Sequence, residues 1–422
     1  MLKNVSVEGL FGYLTYGLNF SKLQSNVALI HGPNGSGKTT VFKMIEAISK
    51  EEFEIFFKTP FTKFTIQTDY SLLVVEKVDD NQIIFNNDYI LNRNDFEKFD
   101  KMDLDEVNRF LHGCGAIRLG PRSYEYEGKR YRHTELLELL KQEDTQEDVY
   151  PEYISSLANE INILYIGSER LIKKEERKVV ENRKKLKEIV QMYENRYAII
   201  SKELDARFPK RIITEGRNIL GTIDSEDIAF RLQQLSKKRI QLTKRGILSN
   251  DNSNELIPAD EIKSDDISDN QYMKQYLNFY IEDNEKKLNE FNDLLEKIDA
   301  FETIINGYFV NKKILFSKNE GYTITLTRGL LKGQEIPLDR LSSGEQHFLV
   351  LFFELIFNSE SNQIVLIDEP EISLHVSWQI NMVDGLITIA NLGDHQFVLA
   401  THSPQILRNH RGKVLTVGYE DE

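Results

Sequence analysis

Between Gly32 and Thr39 the chain reads Gly-Pro-Asn-Gly-Ser-Gly-Lys-Thr, the G-x-x-x-x-G-K-[ST] spacing suited to holding a row of phosphates. Glycines let successive backbone N–H groups turn inward into an anion-binding nest, and a helix beginning at Lys38 would add its positive N-terminal end. Asn34, Gly35, Ser36, Gly37, Lys38, Thr39 and Thr40 would form the cradle for ATP. Lys38 would reach the β- and γ-phosphates, and the Thr39 hydroxyl would ligate Mg²⁺. A second group is Asp368-Glu369, two consecutive carboxylates at the end of the apolar run Ile364 to Ile367. That pattern suits a metal-binding Asp368 followed by a Glu369 that polarises water. An apolar strand ending in solvated charges is common on its own, and the phosphate loop elsewhere in the chain favours the catalytic reading.

These groups need a frame that brings residues more than 300 positions apart together. Val5 to Tyr13, Leu14 to Phe20 and Val27 to His31 read as short strands, the third running straight into the glycine-rich loop and a helical pattern from Val41 to Ser49. Lys63 to Lys77 and Asn81 to Leu91 alternate as strands of an antiparallel layer, and Gln67 is read as following a strand. Met102 to Ala158 is mixed and mostly helical in character, and Ile161 to Ile166 reads as a buried strand. Lys312 to Lys318 and Tyr322 to Arg328 form a hairpin pattern around Asn319-Glu320-Gly321. The expected architecture is α/β, a mixed sheet with helices forming an ATPase head that is interrupted by a helical insertion. Its divisions are 1–170, the insertion 171–306, and 307–422.

Within the insertion Leu186, Val190, Tyr193, Tyr197, Ile200 and Leu204 step by four and three as a coiled-coil seam, and Pro209 is expected to stop it. Leu277, Ile281, Leu288, Phe291, Leu295, Ile298 and Ile305 repeat the stepping on a returning segment that Gly307 would cap. Between them lie a helix, Ile228 to Leu242, and a linker-like Asn/Ser/Asp-rich stretch from Asn250 to Asn270. Residues 170–250 hold 21 Lys/Arg against 11 Asp/Glu, and residues 251–306 hold 5 against 15. Lys173, Lys174, Arg177, Lys178, Arg183, Lys184, Lys185 and Lys187 could meet a DNA or RNA backbone. Pairing of the basic arm with the acidic one is the favoured reading, because interleaved charges beside a seam set partner and orientation.

Leu341-Ser342-Ser343-Gly344-Glu345-Gln346 resembles the ABC signature, and it stands upstream of the Asp368-Glu369 strand in the ABC order. It also reads as a capping box from Ser342 to Glu345. Glu371-Ile372-Ser373-Leu374-His375 resembles the D-loop of the RecF, SMC and OLD branch, with His375 at the acidic position as in OLD-like ATPases. Leu399-Ala400-Thr401-His402-Ser403-Pro404 resembles the switch-histidine strand of that branch. The resemblance covers residues 1 to about 60 and about 310 to 415. It implies that Ser342 and Gly344 touch the γ-phosphate held by another protomer in a head-to-head dimer, and that His402 senses that phosphate. Leu10-Phe11-Gly12-Tyr13 stands where many members carry an Arg, and the Q-loop glutamine has no clear position.

The remaining features bound the function. A net charge of -14 argues against a uniformly basic nucleic-acid binder. The longest apolar runs are too short for a bilayer, no secretory signal is legible, and a lone Cys114 fits a reducing compartment, so a cytoplasmic protein without a membrane partner is expected. The seam from Val179 to Arg207 would span roughly 43 Å, too short for a chromosome-organising arm. With only 20 residues after His402, no nuclease domain of the OLD type is expected on this chain. The chain resembles the compact ATPase subunits of bacterial anti-phage systems such as PARIS and Septu, which act with a separately encoded nuclease or toxin. The alternatives are a RecF-like DNA repair ATPase, with DNA as partner, and a nucleotide-gated scaffold.

Overall fold

The computed structural model describes residues 1–23, 25–93, 117–120, 123–126, 129–132, 150–167, 175–215, 224–248, 271–372 and 374–417. Cys114, Lys173, Lys174, Ser373 and the linker-like stretch 250–270 lie outside them. Along the chain come β1 (Leu2–Leu10), β2 (Leu14–Asn19), β3 (Val27–His31), α1 (Lys38–Ser49), α2 (Glu54–Lys58), β4 (Lys63–Thr68), β5 (Leu72–Lys77), β6 (Gln82–Phe85) and β7 (Tyr89–Asn92). Next are β8 (Ile117–Gly120), β9 (Ser123–Tyr126), β10 (Lys129–Arg132), α3 (Glu152–Glu160) and β11 (Ile163–Ile166), followed by α4 (Glu175–Glu215), α5 (Ser225–Lys244), α6 (Gln271–Asn289) and α7 (Asn292–Tyr308). The chain continues through β12 (Lys312–Ser317), β13 (Gly321–Leu326), α8 (Ser343–Phe353), β14 (Ile364–Asp368), α9 (Val376–Gly393), β15 (Gln396–Thr401), α10 (Pro404–Leu407) and β16 (Val414–Thr416). It divides into two compact units, residues 1–168, 361–371 and 393–422 in the first, and 169–360 and 372–392 in the second.

In the first unit a five-stranded parallel sheet runs β11-β14-β15-β3-β16. Every residue of β14 and β15 is buried, as expected of parallel strands covered on both faces. An antiparallel sheet runs β2-β1-β4-β5-β6-β7, and β4, with burial alternating along it, shows one face to the core. One core joins Val5, Val7, Ile66 and Val75 of this sheet to Val41, Phe42 and Ile45 of α1 and to Ile30, Leu366 and Val398 of the parallel sheet. The Lys63 to Lys77 and Asn81 to Leu91 runs are each a pair of strands. Gln67 lies inside β4 rather than after a strand. Where the sequence between Met102 and Ala158 read as mostly helical, the described residues include the antiparallel sheet β10-β9-β8, in which the β-forming Tyr124 and Tyr131 pair.

The second unit contains the helices α4 to α9 and the hairpin β12-β13, whose strands pair from Lys312↔Leu326 to Ser317↔Gly321. Helix α4 continues past Pro209 to Glu215, against the expected stop. Proline removes one backbone hydrogen bond, but contacts made by the following turn hold the helix. Arg211 forms ion pairs with Glu282 and Asp283 and lies 4.5 Å from the Phe279 ring centre, and Phe208 packs edge-on to Tyr276. The returning segment is two helices broken at 290–291, where Lys238 bonds both Asn289 and Asn292. Gly307 lies inside α7 instead of capping it; the helix runs on to Tyr308, whose ring packs 4.2 Å from Phe348 and whose hydroxyl donates to Asn381 O at 2.6 Å.

The apolar seam is shared by more than two helices: Val190 and Tyr193 of α4 join Ile228, Leu232 and Leu235 of α5 and Ile281, Leu288 and Phe291 of the return. Some charges of the arms are paired across helices, Arg231 with Glu285, Arg245 with Asp299 and Glu302, and Lys287 with Asp205. Among the described residues no helix is long and apolar enough to cross a membrane.

Helix α8 begins with a capping box, Glu345 N donating to Ser342 Oγ at 3.3 Å and Ser342 N to Glu345 Oε2 at 2.8 Å. Burial resists ionisation of Glu345, but the Lys312 ammonium at 2.7 Å and the Ser342 bonds outweigh it and hold the carboxyl below the usual glutamate range. Glu345→Gln is therefore expected to cost about 1–3 kcal/mol at neutral pH. Because folding lowers this pKa, the contribution is complete above the ordinary glutamate value and fades as pH falls through the lower folded value. Denaturant unfolding of both proteins between about pH 7 and pH 3 should show their stabilities converging in acid.

Candidate active site

The register of the parallel sheet assembles the site. Asp368 of β14 pairs with Ala400 of β15, and Thr401 of β15 pairs with His31 of β3. The three strands thus end side by side, and the segments that follow them, Glu369 onward, His402 onward and Gly32–Gly37, leave from one edge, the carboxyl edge at which ligands bind in open α/β sheets.

The phosphate loop is tight enough to demand glycine. Gly37, at φ 78°, is the N-cap of α1, and a Cβ there would come within 2.4 Å of Leu10 Cδ2. A Cβ on Gly32 would meet Val417 O at 2.7 Å. Leu10 and Phe11, which occupy the position where an Arg was missed in the sequence, form an apolar wall against Gly37, with Phe11 itself at a left-handed φ of 56°. Lys38 is buried, its ammonium donating to Gly32 O at 3.0 Å, Pro33 O at 3.1 Å and Ser36 Oγ at 3.2 Å. Burial lowers its pKa, opposed by the carboxylates of Asp368, Glu369 and Glu371.

Thr39 Oγ1 donates to Asp368 Oδ2 at 2.5 Å. The other Asp368 oxygen is buried without a partner. An orphaned carboxylate oxygen beside a hydroxyl is a donor set fitted to a hard divalent cation. Among the described residues no cluster of three or more His, Cys, Asp or Glu could hold a metal. Asp368 and Thr39 would be the residues to hold such a cation, which would supply positive charge beside the phosphate loop.

Glu369 turns the chain at the end of β14 in a left-handed conformation, φ 51°, with its N–H donating to Ala400 O at 2.9 Å. A non-glycine residue held there costs about 1 kcal/mol or more, and such positions concentrate at functional sites. Its Oε1 lies 4.0 Å from His402 Nε2. Glu371, to which the sequence reading gave no role, accepts from Thr401 Oγ1 at 2.9 Å and from His402 N at 2.7 Å. Its sequence signals are its place at the start of the D-loop-like segment and a third carboxylate two residues beyond Glu369.

The first unit thus brings together the phosphate loop, Thr39, Asp368, Glu369, Glu371 and His402. Ser342 and Gly344 belong to the second unit, at the N-terminus of α8, where Ser342 is exposed. His375 immediately precedes α9, its ring nitrogen Nδ1 within 2.8 Å of Ser377 Oγ.

A glycine-rich phosphate loop after β3, paired carboxylates after β14, a histidine after the intervening β15 and a capped signature helix earlier in the chain define an ATPase of the ABC class. The chain belongs to the AAA ATPase domain family, whose family model matches residues 1–407. It is 32% identical over 144 residues to the retron Ec83 probable ATPase of Escherichia coli, a match covering 28% of this chain and 25% of that protein. The match thus spans about a quarter of that relative's length. Two solved structures are distantly similar. One is the Smc head domain with an extended coiled coil bound to the C-terminal domain of ScpA, from Pyrococcus furiosus, with 15% identity, 100% and 94% of the two chains covered, and a TM-score of 0.39. The other is the SmcHead bound to the C-winged helix domain of ScpA, with 12% identity, 97% and 91% covered, and a TM-score of 0.34. Neither bears on what this chain binds.

Proposed function

We propose that this ATPase is the nucleotide-sensing subunit of an anti-phage defence complex, working as a head-to-head dimer that governs a separately encoded nuclease or toxin. The observation that carries the defence role is the similarity to an ATPase named for a retron. In this reading Asn34 to Thr40 bind the phosphates, Lys38 orients the β- and γ-phosphates, Thr39 and Asp368 hold the cation, and Glu369 polarises the attacking water. Mg²⁺ held by Thr39 and Asp368 would supply neutralisation of charge developing on the phosphates. His402 reads the γ-phosphate, and Ser342 and Gly344 reach the nucleotide of the partner protomer. Exposure of Ser342 at a helix N-terminus supports that contact, because such an end favours an anion.

ATP shared between two heads can bias an equilibrium only by binding the closed form better than the open one, and an effector bound to the protein would read that shift. In the insertion Arg211, Arg231, Arg245 and Lys287 are each paired with a carboxylate, whereas Arg177, Lys184, Lys185 and Lys187 of the basic run are exposed and are the residues on which the DNA-repair alternative rests. Tagged Glu369→Gln protein isolated from its native host with ATP is expected to retain a second, unrelated protein subunit, and Lys38→Ala to retain much less. Recovery of DNA and no second protein would overturn the defence reading in favour of repair.

A further inference from the structure

Glu371 is the one carboxylate of the site that makes two directed contacts with the segment carrying the histidine. It follows Glu369 across Pro370 after the end of β14, whereas Thr401 ends β15 and His402 follows it. The Asp368↔Ala400 pairing brings these two ends together. One Glu371 oxygen accepts from the Thr401 hydroxyl at 2.9 Å and the other from the His402 backbone N–H at 2.7 Å. Thr401 is fully buried, and its hydroxyl in turn accepts from Ser403 N at 3.0 Å. Ser403 Oγ then caps α10, accepting from Gln405 N and Ile406 N. The backbone on both sides of His402 is therefore pinned, and the imidazole Nε2 comes to 4.0 Å from Glu369 Oε1.

We propose that Glu371 is the positioning residue that holds His402 in register with Glu369, acting on hydrolysis through the histidine and not on the nucleotide itself. The proposal rests on the reading of His402 as the γ-phosphate sensor. A carboxylate suits the task because it presents two acceptors at once, and a bond from a backbone N–H to an ionised oxygen is stronger than a neutral one. Glutamine keeps one oxygen for His402 N and offers its amide to Thr401, whose hydroxyl can rotate. It is the conservative rescue, and alanine loses both contacts.

The test is steady-state hydrolysis and separately measured ATP affinity for Glu371→Ala, Glu371→Gln, His402→Ala and the Glu371→Ala/His402→Ala double variant. Misplacement of a group by about 1 Å can cost on the order of 10²-fold in rate. Glu371→Ala is accordingly expected to lose roughly 10–10²-fold in kcat with ATP affinity unchanged, and Glu371→Gln to recover most of it. The double variant should be no slower than His402→Ala alone, since both changes remove the same function. If the double variant loses the product of the two single effects, or if Glu371→Ala keeps wild-type kcat, the proposal is overturned. If His402→Ala turns over normally while Glu371→Ala is slow, the sensor reading of His402 has failed instead, and Glu371 acts by another route. Should Glu371→Ala fail to fold, Thr401→Val, which removes one of the two contacts in similar volume, carries the same cycle with His402→Ala and the same two outcomes.

Discussion

Glu369→Gln is expected to bind ATP as the wild type does and to hydrolyse it about 10²–10⁴-fold more slowly, the range for loss of a positioned general base. The residue stands at the strained left-handed turn that ends β14, beside Asp368, the proposed cation ligand, and 4.0 Å from His402. Glutamine preserves shape and hydrogen bonding but cannot take a proton. Lys38→Ala should fail earlier, at binding, with affinity lower by roughly 10–10²-fold, since a hydrogen bond to a charged group contributes about 1.5–3 kcal/mol. The Lys38 ammonium is held by three oxygens of its own loop, so it reaches phosphate by exchanging these bonds, and its removal also slackens the loop. Equilibrium ATP binding and single-turnover hydrolysis separate the two steps. Wild-type turnover by Glu369→Gln would remove that residue from the chemistry.

The second large effect concerns Ser342. Ser342→Arg is expected to abolish hydrolysis while leaving ATP binding intact, because its own phosphate loop is untouched and only the site of the other protomer is blocked. Since Ser342 also caps α8, arginine costs about 1 kcal/mol of helix stability as well. Ser342→Asp keeps the cap and places a negative charge where phosphate is expected, so equal inactivity of both variants points to the phosphate contact. The decisive measurement is mixing. Ser342→Arg and Lys38→Ala are each inactive alone, but one mixed dimer restores a complete site from the intact loop of the first and the intact signature of the second. Random pairing in a two-fold dimer would return about a quarter of wild-type activity. No recovery on mixing, with dimerisation verified by light scattering, would sink the shared-site reading.

What was legible in the sequence was local. The phosphate loop declares itself because its glycines, lysine and threonine act within eight consecutive positions, and the capping box because Ser342 and Glu345 sit within one helical turn. The β12-β13 hairpin and the buried strand β14 were readable for the same reason: turn chemistry and continuous apolar runs depend on neighbours in the chain.

Tertiary structure decided whatever depends on residues far apart. Proline at 209 signals a helix end by local rules, yet Arg211 held by Asp283, 72 positions away, keeps α4 running. Gly307 reads as a cap until Tyr308 finds Phe348 and the Asn381 carbonyl. Glu371 opens the D-loop-like segment, but that motif assigns the carboxylate no partner. Its role arises when the pairing of β14 with β15 lays its two oxygens against a hydroxyl and an N–H some 30 residues on. Local propensity and spacing state which groups are present, and strand register, a long-range property, determines which of them meet.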